Sequence, residues 1–232
     1  ICIPTRDRLD SIKSNIEHLI SKIQENKLEE KIEIVISDNS KDENKFLLNL
    51  SKNHLFINYI YTKDLGHDYN ILNLVDNSSS EYIWFCQDHT RLRFENINYL
   101  IKTLLNKNPK YVYLPTKNNL KLEKFIKNDQ RYISFKNVYL NTNLVKKKYF
   151  IDYYKKLLLN FNGSHLIFQH AIIYLNFEIE EGQILILNKK FSDYKFFVNE
   201  SYEKNTWSRS LESYLSILEK SVLMFNDILN LF

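Results

Sequence analysis

Glycine and proline are scarce in these 232 residues, at 3 each. A glycine-rich phosphate loop is thereby excluded, since such loops need several glycines within a few positions for the backbone to close around an anion. Most turns must be made instead by Asn, Asp, Ser and Lys, with Asn the most tolerant of left-handed backbone among them. Cysteine is limited to Cys2 and Cys86, each inside an apolar run and neither in a metal-ligand spacing. Two such thiols fit reduced core residues of a cytosolic protein and not a disulfide framework. No apolar run approaches the roughly 18 residues a spanning helix requires, and no signal peptide is visible. The sequence opens at Ile1 without an initiator Met, inside a strand-like run, and is therefore expected to be part of a longer chain.

An excess of one charge is also lacking. Lys and Arg number 32 against 28 Asp and Glu, a net +4, and the two signs are mixed along the chain. That excludes a basic nucleic-acid stripe and leaves room for a small anionic ligand. What is present is a hydrophobic share of 44%, which rules out a disordered chain, and an aromatic share of 14%, which is high. A compact chain of this length buries roughly 70% of its unfolded surface, so neither disulfides nor a structural metal are needed.

Two periods alternate through the first 115 residues. Ile1 to Pro4 is a short apolar run, and Leu9, Ile12, Ile16, Leu19 and Ile23 then mark one face of a helix. Ile32 to Ile36 reads as a second strand, Phe46 to Leu50 as a brief helix and Phe56 to Tyr61 as a third strand. A helix follows within 66–80, then a strand at Tyr82 to Cys86, a helix through Leu100 to Leu105 and a strand at Tyr111 to Leu114. Strands alternating with helices predict an α/β fold with a mostly parallel sheet flanked by helices. The second half is less regular: a strand over 131–140, helices over 145–159 and 165–177, and a strand over 184–187. From Leu211 to Phe232 apolar residues recur in strict four-three alternation, an amphipathic seam expected to dock on its own domain or on a second chain. The predicted organisation is one α/β domain over 1–208, with halves 1–115 and 116–208, and a C-terminal helix over 209–232.

In a parallel sheet, ligands bind beyond the carboxyl ends of the strands. Polar clusters stand at four such edges here: Thr5-Arg6-Asp7-Arg8, Asp38-Asn39-Ser40, Lys63-Asp64 through Asn70, and Gln87-Asp88-His89. Any one acid of this kind is commonly a helix cap. Their joint arrival at one edge makes a site the better explanation.

The run Ile1-Cys2-Ile3-Pro4-Thr5-Arg6-Asp7-Arg8-Leu9, then Glu33-Ile34-Val35-Ile36-Ser37-Asp38-Asn39-Ser40, then Asn70, then Glu81-Tyr82-Ile83-Trp84-Phe85 leading to Asp88, resembles the opening half of a family 2 glycosyltransferase. The resemblance covers about residues 1 to 115 and rests on order and spacing together. It implies the A-type glycosyltransferase fold and transfer of a sugar, with inversion, from a nucleotide-diphosphate donor to a glycan or lipid-linked acceptor. Residue by residue, it implies that Pro4 and Thr5 lie beside the nucleotide with Arg8 nearby, and that Asp38 accepts from base or ribose. Asn39, Asn70 and Gln87 join them on the donor side, and Asp88 takes the first position of the Asp-x-Asp signature, where a carboxylate holds a divalent metal on the diphosphate. Such a cation, or a positive side chain, meets the charge that grows on the leaving group.

Here the sequence departs from the pattern, because Thr90 stands where the second acid belongs. His89 is then the candidate second ligand, suited to Mn2+ better than to Mg2+. The rival reading has Arg91, Arg93 or a lysine neutralise the diphosphate. Inverting transfer also needs a base for the acceptor hydroxyl. No acid lies between Asp152 and Glu178, so His165 and His170 are the candidates, with Asp152 behind them. Trp207 and Arg209 are weaker matches to an acceptor cover. Tyr153, Tyr154, Lys155 and Lys156 are expected either to form a solvated helix face or to meet acceptor sugar or phospholipid.

The bias to Asn, Lys and Ile points to an AT-rich bacterial genome and to surface-polysaccharide synthesis, such as capsule or lipopolysaccharide. A cytoplasmic enzyme of this kind meets a lipid-linked acceptor at the inner face of the membrane, which implies peripheral membrane contact. The tail is ill suited to make that contact, with Lys220 its only cation after Arg209 against Glu212, Glu219 and Asp227. A sugar nucleotidyltransferase is disfavoured, since it would need a Gly-rich triphosphate loop near its first strand and Thr5-Arg6-Asp7-Arg8 has no glycine. A degenerate, non-catalytic domain of the same fold, binding glycan or a partner enzyme, remains the alternative.

Overall fold

The computed structural model describes residues 1–114, 124–125, 142–160, 168, 171–172, 175, 179, 182–187 and 189–193. The chain divides into two units, Ile1–Lys195 and Phe196–Phe232, and every described residue lies in the first. The strand expected over 131–140 and the heptad over 211–232 fall outside the described residues, as do Trp207 and Arg209.

Strands β1 (Cys2–Thr5), β2 (Ile34–Asp38) and β3 (Ile57–Tyr61) pair in parallel in the order β1-β2-β3. All five residues of β2 are buried, which is why Ile34, Val35 and Ile36 read as a continuous β-branched run and not as an alternation, and the strand carries on into the buried Ser37 and Asp38 that the sequence assigns to a turn. Helix α1 (Leu9–Glu25) lays Ile12, Ile16, Leu19, Ile20 and Ile23 into the core. It closes without glycine: Lys27 takes φ 53 and the Leu28 N–H donates to the Ile23 carbonyl at 3.0 Å, with Leu28 buried beneath. That is a Schellman closure with a lysine in the left-handed position. Asp7, Asp64 and Asn108 also adopt positive φ, so aspartate and lysine take most of the places that the scarce glycine leaves open. Helix α2 (Lys45–Asn53) starts at Asn44, whose Oδ1 accepts from the Phe46 and Leu47 N–H groups. Helix α3 (His67–Asp76) starts at Gly66, at φ 88 and ψ 159, a conformation open essentially to glycine alone.

Strand β4 (Tyr82–Trp84) lies beside β1 through a parallel bridge between Cys2 and Phe85, and the Cys86 N–H donates to the Cys2 carbonyl at 2.9 Å. It opens a second sheet with β6 (Tyr111–Tyr113), β7 (Lys124–Phe125), β8 (Asn143–Lys146) and β9 (Ile184–Ile186), in the order β4-β8-β6-β9-β7. A short ribbon pairs β5 (Arg91–Leu92) antiparallel with β10 (Ser192–Asp193). Helix α4 (Ile97–Lys107) precedes β6, and helix α5 (Lys147–Asn160) follows β8.

The helix expected from Val145 therefore begins two residues late. Val145 and Lys146 belong to β8, which runs antiparallel to both β4 and β6 and fills the slot between them. Sheet pairing outweighs local helical pattern over such a short segment. Of the helix expected over 165–177, the described residues Phe168, Ala171, Ile172 and Leu175 are helical and buried. Phe168 joins Phe85, Phe150 and Tyr154 in an aromatic cluster with centroids 4.9–5.9 Å apart. Tyr154 therefore serves the core and not a solvated or acceptor-facing surface, and its hydroxyl donates to the Asp68 carbonyl at 3.0 Å. No helix among the described residues is long and apolar enough to cross a membrane.

Candidate functional site

Parallel pairing sets Thr5 opposite Asp38 and Asp38 opposite Tyr61, so the last residues of β1, β2 and β3 form one row at the carboxyl edge of the sheet. The chain after β1 turns at Asp7, with φ 50. This turn and the loop after β2 wall a cleft of about 460 Å³ lined by Thr5, Asp7, Arg8, Asp38, Ser40 and, across from them, Asn44 to Phe46 with others. The cleft thus opens at the carboxyl edge of β1 and β2.

Asp38 is buried, and both its oxygens are already engaged. Oδ1 accepts from the Ser40 N–H at 3.0 Å and, more closely, from the Ser40 hydroxyl, while Oδ2 accepts from the Tyr59 hydroxyl at 2.9 Å. Each of those hydroxyls accepts in turn: Ser40 Oγ from the Asp7 N–H at 2.8 Å, and Tyr59 Oη from the Asn44 N–H at 3.0 Å. One carboxylate therefore ties the turn after β1 to the start of α2, the two walls of the cleft. Burial, with the Asp38 charge adding to it, raises the Tyr59 hydroxyl well above its ordinary pKa. Tyr61 is raised in the same direction by desolvation and by Asp42, Asp38 and Asp64 nearby. Asn39, also buried, accepts from the Leu65 N–H, which fixes the loop after β3.

Asp88 lies past β4 with 2% of its surface exposed. Its Oδ2 accepts from Thr5 Oγ1 at 3.0 Å, and its Oδ1 accepts from Arg8 Nη1 at 3.1 Å and stands 2.9 Å from His89 Nδ1. The structure thus brings Thr5, Arg8, Asp88 and His89 into one cluster. Gln87 begins the turn beneath it, where the Thr90 N–H donates to the Gln87 carbonyl and Thr90 Oγ1 to its side chain. Pro4 sits in β1 opposite Ser37, one residue below the row. Asn70, in the first turns of α3, is buried with no hydrogen-bond partner for its Oδ1 among the described residues. Neither Asn70 nor Asp88 lines the cleft. Asp152 is exposed on α5, and His165 and His170 lie outside the described residues.

Tyr59 and Asn15 were not singled out from sequence. Asn15 gave a usable signal, being a polar residue inside the apolar stripe of α1, and its Nδ2 donates to the Gln87 carbonyl at 3.3 Å. Tyr59 gave none, since an aromatic in a strand reads as core. The two thiols stay free and buried, and burial pushes Cys2 up to about 11 and Cys86 up to about 12.

The divalent cation expected at Asp88 finds a poor donor set. Oδ1 is shared by a guanidinium and an imidazole, and Thr90, in the second acid's place, is fully buried and bonded to Gln87. Among the described residues no three His, Cys, Asp or Glu side chains gather as a metal would require. A cation on Oδ1 would lie against the Arg8 guanidinium, so these residues do not fit it as arranged.

Solved structures share this fold at low identity. TarS 1-349 of S. aureus is 14% identical at a TM-score of 0.59, covering 82% of this chain and 58% of its own length. The same protein in complex with UDP aligns at 12% identity and 0.60, again over 82% and 58%. The mannosyltransferase PcManGT from Pyrobaculum calidifontis, in complex with GDP-Man and Mn2+, aligns at 11% identity and 0.50, over 81% of this chain and 55% of its own. This chain therefore spans less than two thirds of the length of the structures it resembles. No curated protein matches it. The family described as glycosyl transferase family 2 matches residues 1–179, more than half of the sequence, and the chain belongs to that family.

Proposed function

We propose that this chain transfers a sugar, with inversion, from a nucleoside-diphosphate-sugar donor to a hydroxyl of a glycan or lipid-linked acceptor, in the assembly of a bacterial surface polysaccharide. The observation that carries the reading is the cleft at the carboxyl edge of β1 and β2, where Thr5, Arg8 and the Asp38 loops converge in a family 2 fold. Asp38 shapes the nucleoside pocket by holding its two walls. Its Oδ2 makes one bond within the protein and retains a lone pair for base or ribose.

Transfer breaks the bond between the anomeric carbon and the diphosphate oxygen, whose electron pair stays on the diphosphate. The acceptor oxygen attacks the opposite face and surrenders its proton to a base, for which His165, His170 and Asp152 are the candidates. TarS in complex with UDP-GlcNAc and PcManGT in complex with GDP-Man make UDP- and GDP-sugars the donors to try first. A lipid-linked acceptor would bring the protein to the cytoplasmic face of the membrane.

Incubation with UDP- and GDP-sugars and a crude glycan acceptor, with nucleoside diphosphate release followed by 31P NMR and product anomer by 1H NMR, tests the reading. Release dependent on acceptor, with an inverted anomer, is expected. A second reading, a non-catalytic binding domain, is favoured by Thr90 in place of the second acid. Nucleotide binding without any turnover across the panel would select it.

A further inference from the structure

Of the three groups around Asp88, Thr5 and Arg8 line the cleft and His89 does not. Asp88 is 3% exposed at its side chain and stands outside the cleft lining, whereas Arg8, bonded to its Oδ1, is 36% exposed and lines the cleft. Arg8 thus reaches from the buried carboxylate to the cleft, which Asp88 itself does not line. The cleft carries two cations, Arg8 and Lys45, among the acids Asp7, Asp38, Asp42 and Glu43, and of the two Arg8 is the one anchored on a buried carboxylate. Thr5 Oγ1 and His89 Nδ1 occupy the other positions on that carboxylate and complete its role as an anchor. Thr90 is fully buried and adds no negative charge that a metal would need.

We propose that Arg8, held in place by Asp88, takes the part that a divalent cation would otherwise play: its guanidinium binds the donor diphosphate, and the chain binds nucleoside diphosphate without metal. The inference rests on the reading of the cleft as the donor site. The planar fork of a guanidinium matches two phosphate oxygens, and its bonds strengthen as charge collects on the leaving diphosphate. Arg8 only donates hydrogen bonds in this step. It gives up no proton, and the acceptor's proton goes to the base as before. Asp88 is on this account a positioning residue, and its carboxylate fixes which way the fork points.

Calorimetry of UDP and of GDP on the 232-residue chain, in EDTA and in excess Mn2+, tests the proposal. The nucleotide that binds should do so with affinities within about twofold in the two conditions, since no metal enters the contact. Arg8→Ala should weaken it by about 10-fold to 100-fold, the scale of a lost charge-assisted contact, and Mn2+ should not restore it. Because Arg8→Ala strands the buried Asp88 charge and risks misfolding, the double variant Arg8→Ala/Asp88→Asn is the second arm. It should melt near wild type and still bind weakly. Mn2+ titrated alone and followed by EPR should find no saturable tight site. Binding that appears only with Mn2+, or wild-type affinity in the double variant, overturns the role of Arg8 and leaves the donor site standing. Absence of binding by both nucleotides in both conditions overturns the donor reading itself.

Discussion

Removing one oxygen atom, in Tyr59→Phe, tests the claim that Asp38 acts through the walls of the cleft. The hydroxyl donates to Asp38 Oδ2 at 2.9 Å and accepts from the Asn44 N–H at 3.0 Å, so the change cuts both links between β2 and the start of α2. The bond to the carboxylate is charge-assisted, and loss of such a bond costs about 1.5 to 3 kcal/mol. The ring keeps its packing, and the half-buried Asn44 N–H can turn to water, so little is added to that figure. For a unit of this size about 1 kcal/mol lowers Tm by roughly 2 to 4 °C, which predicts a fall of about 3 to 12 °C at pH 7. Nucleotide affinity, read by calorimetry, should fall as well, although the hydroxyl belongs to no residue of the cleft lining. A pH series supplies an independent check. The folded-state pKa of Tyr59 is raised by burial and by Asp38, so its contribution is whole below the ordinary value of 10.0 and is lost as pH climbs beyond it. The variant should therefore lose less stability than wild type above pH 10. Unchanged Tm together with unchanged nucleotide affinity in Tyr59→Phe would refute the relay through Asp38.

Asp88→Asn keeps an acceptor for Arg8 but removes the charge that aims it, and turnover should drop by about a hundredfold, measured as nucleoside diphosphate release. The two thiols predict an alkaline window: with folded values of about 11 and 12 above the ordinary 9.0, their stabilisation holds below pH 9 and drains away as pH rises through the folded values. Each contributes about 1.4 kcal/mol per pH unit between the two limits, and replacing either by Ala should flatten the slope of denaturant-derived stability above pH 9. Gly66→Ala meets no atom within 4 Å, so its cost is that of backbone alone at φ 88, about 1 to 3 kcal/mol by chemical denaturation. If a histidine is the base, His165→Gln or His170→Gln should abolish the acid limb of the pH–rate profile near pH 6 to 7, and persistence of the limb in both shifts the role to Asp152.

Local pattern was enough wherever burial is written within a single element. The three-and-four spacing of Ile12, Ile16, Leu19 and Ile23, the apolar run Ile34-Val35-Ile36 in β2 and the polar residues at the ends of β1 and β2 and past β4 could be read in order, because burial dictates periodicity and parallel strands end at a common edge. The residue types that bind charge were likewise visible, and Thr5, Arg8, Asp38 and Asp88 stand at the cleft or against it. What depends on partners distant in sequence was not legible. Strand β8 is four residues long and exists because β4 and β6 leave a slot for it, while the β5–β10 ribbon joins segments about a hundred residues apart. Tyr59 joined the site only when strand register brought its hydroxyl to Asp38, and Arg8 was tied to the buried Asp88 only by the fold, 80 residues away in sequence. Periodicity is a property of one segment and is written in that segment. Which way a charge points is settled by the groups packed around it, and those are assembled by the tertiary fold.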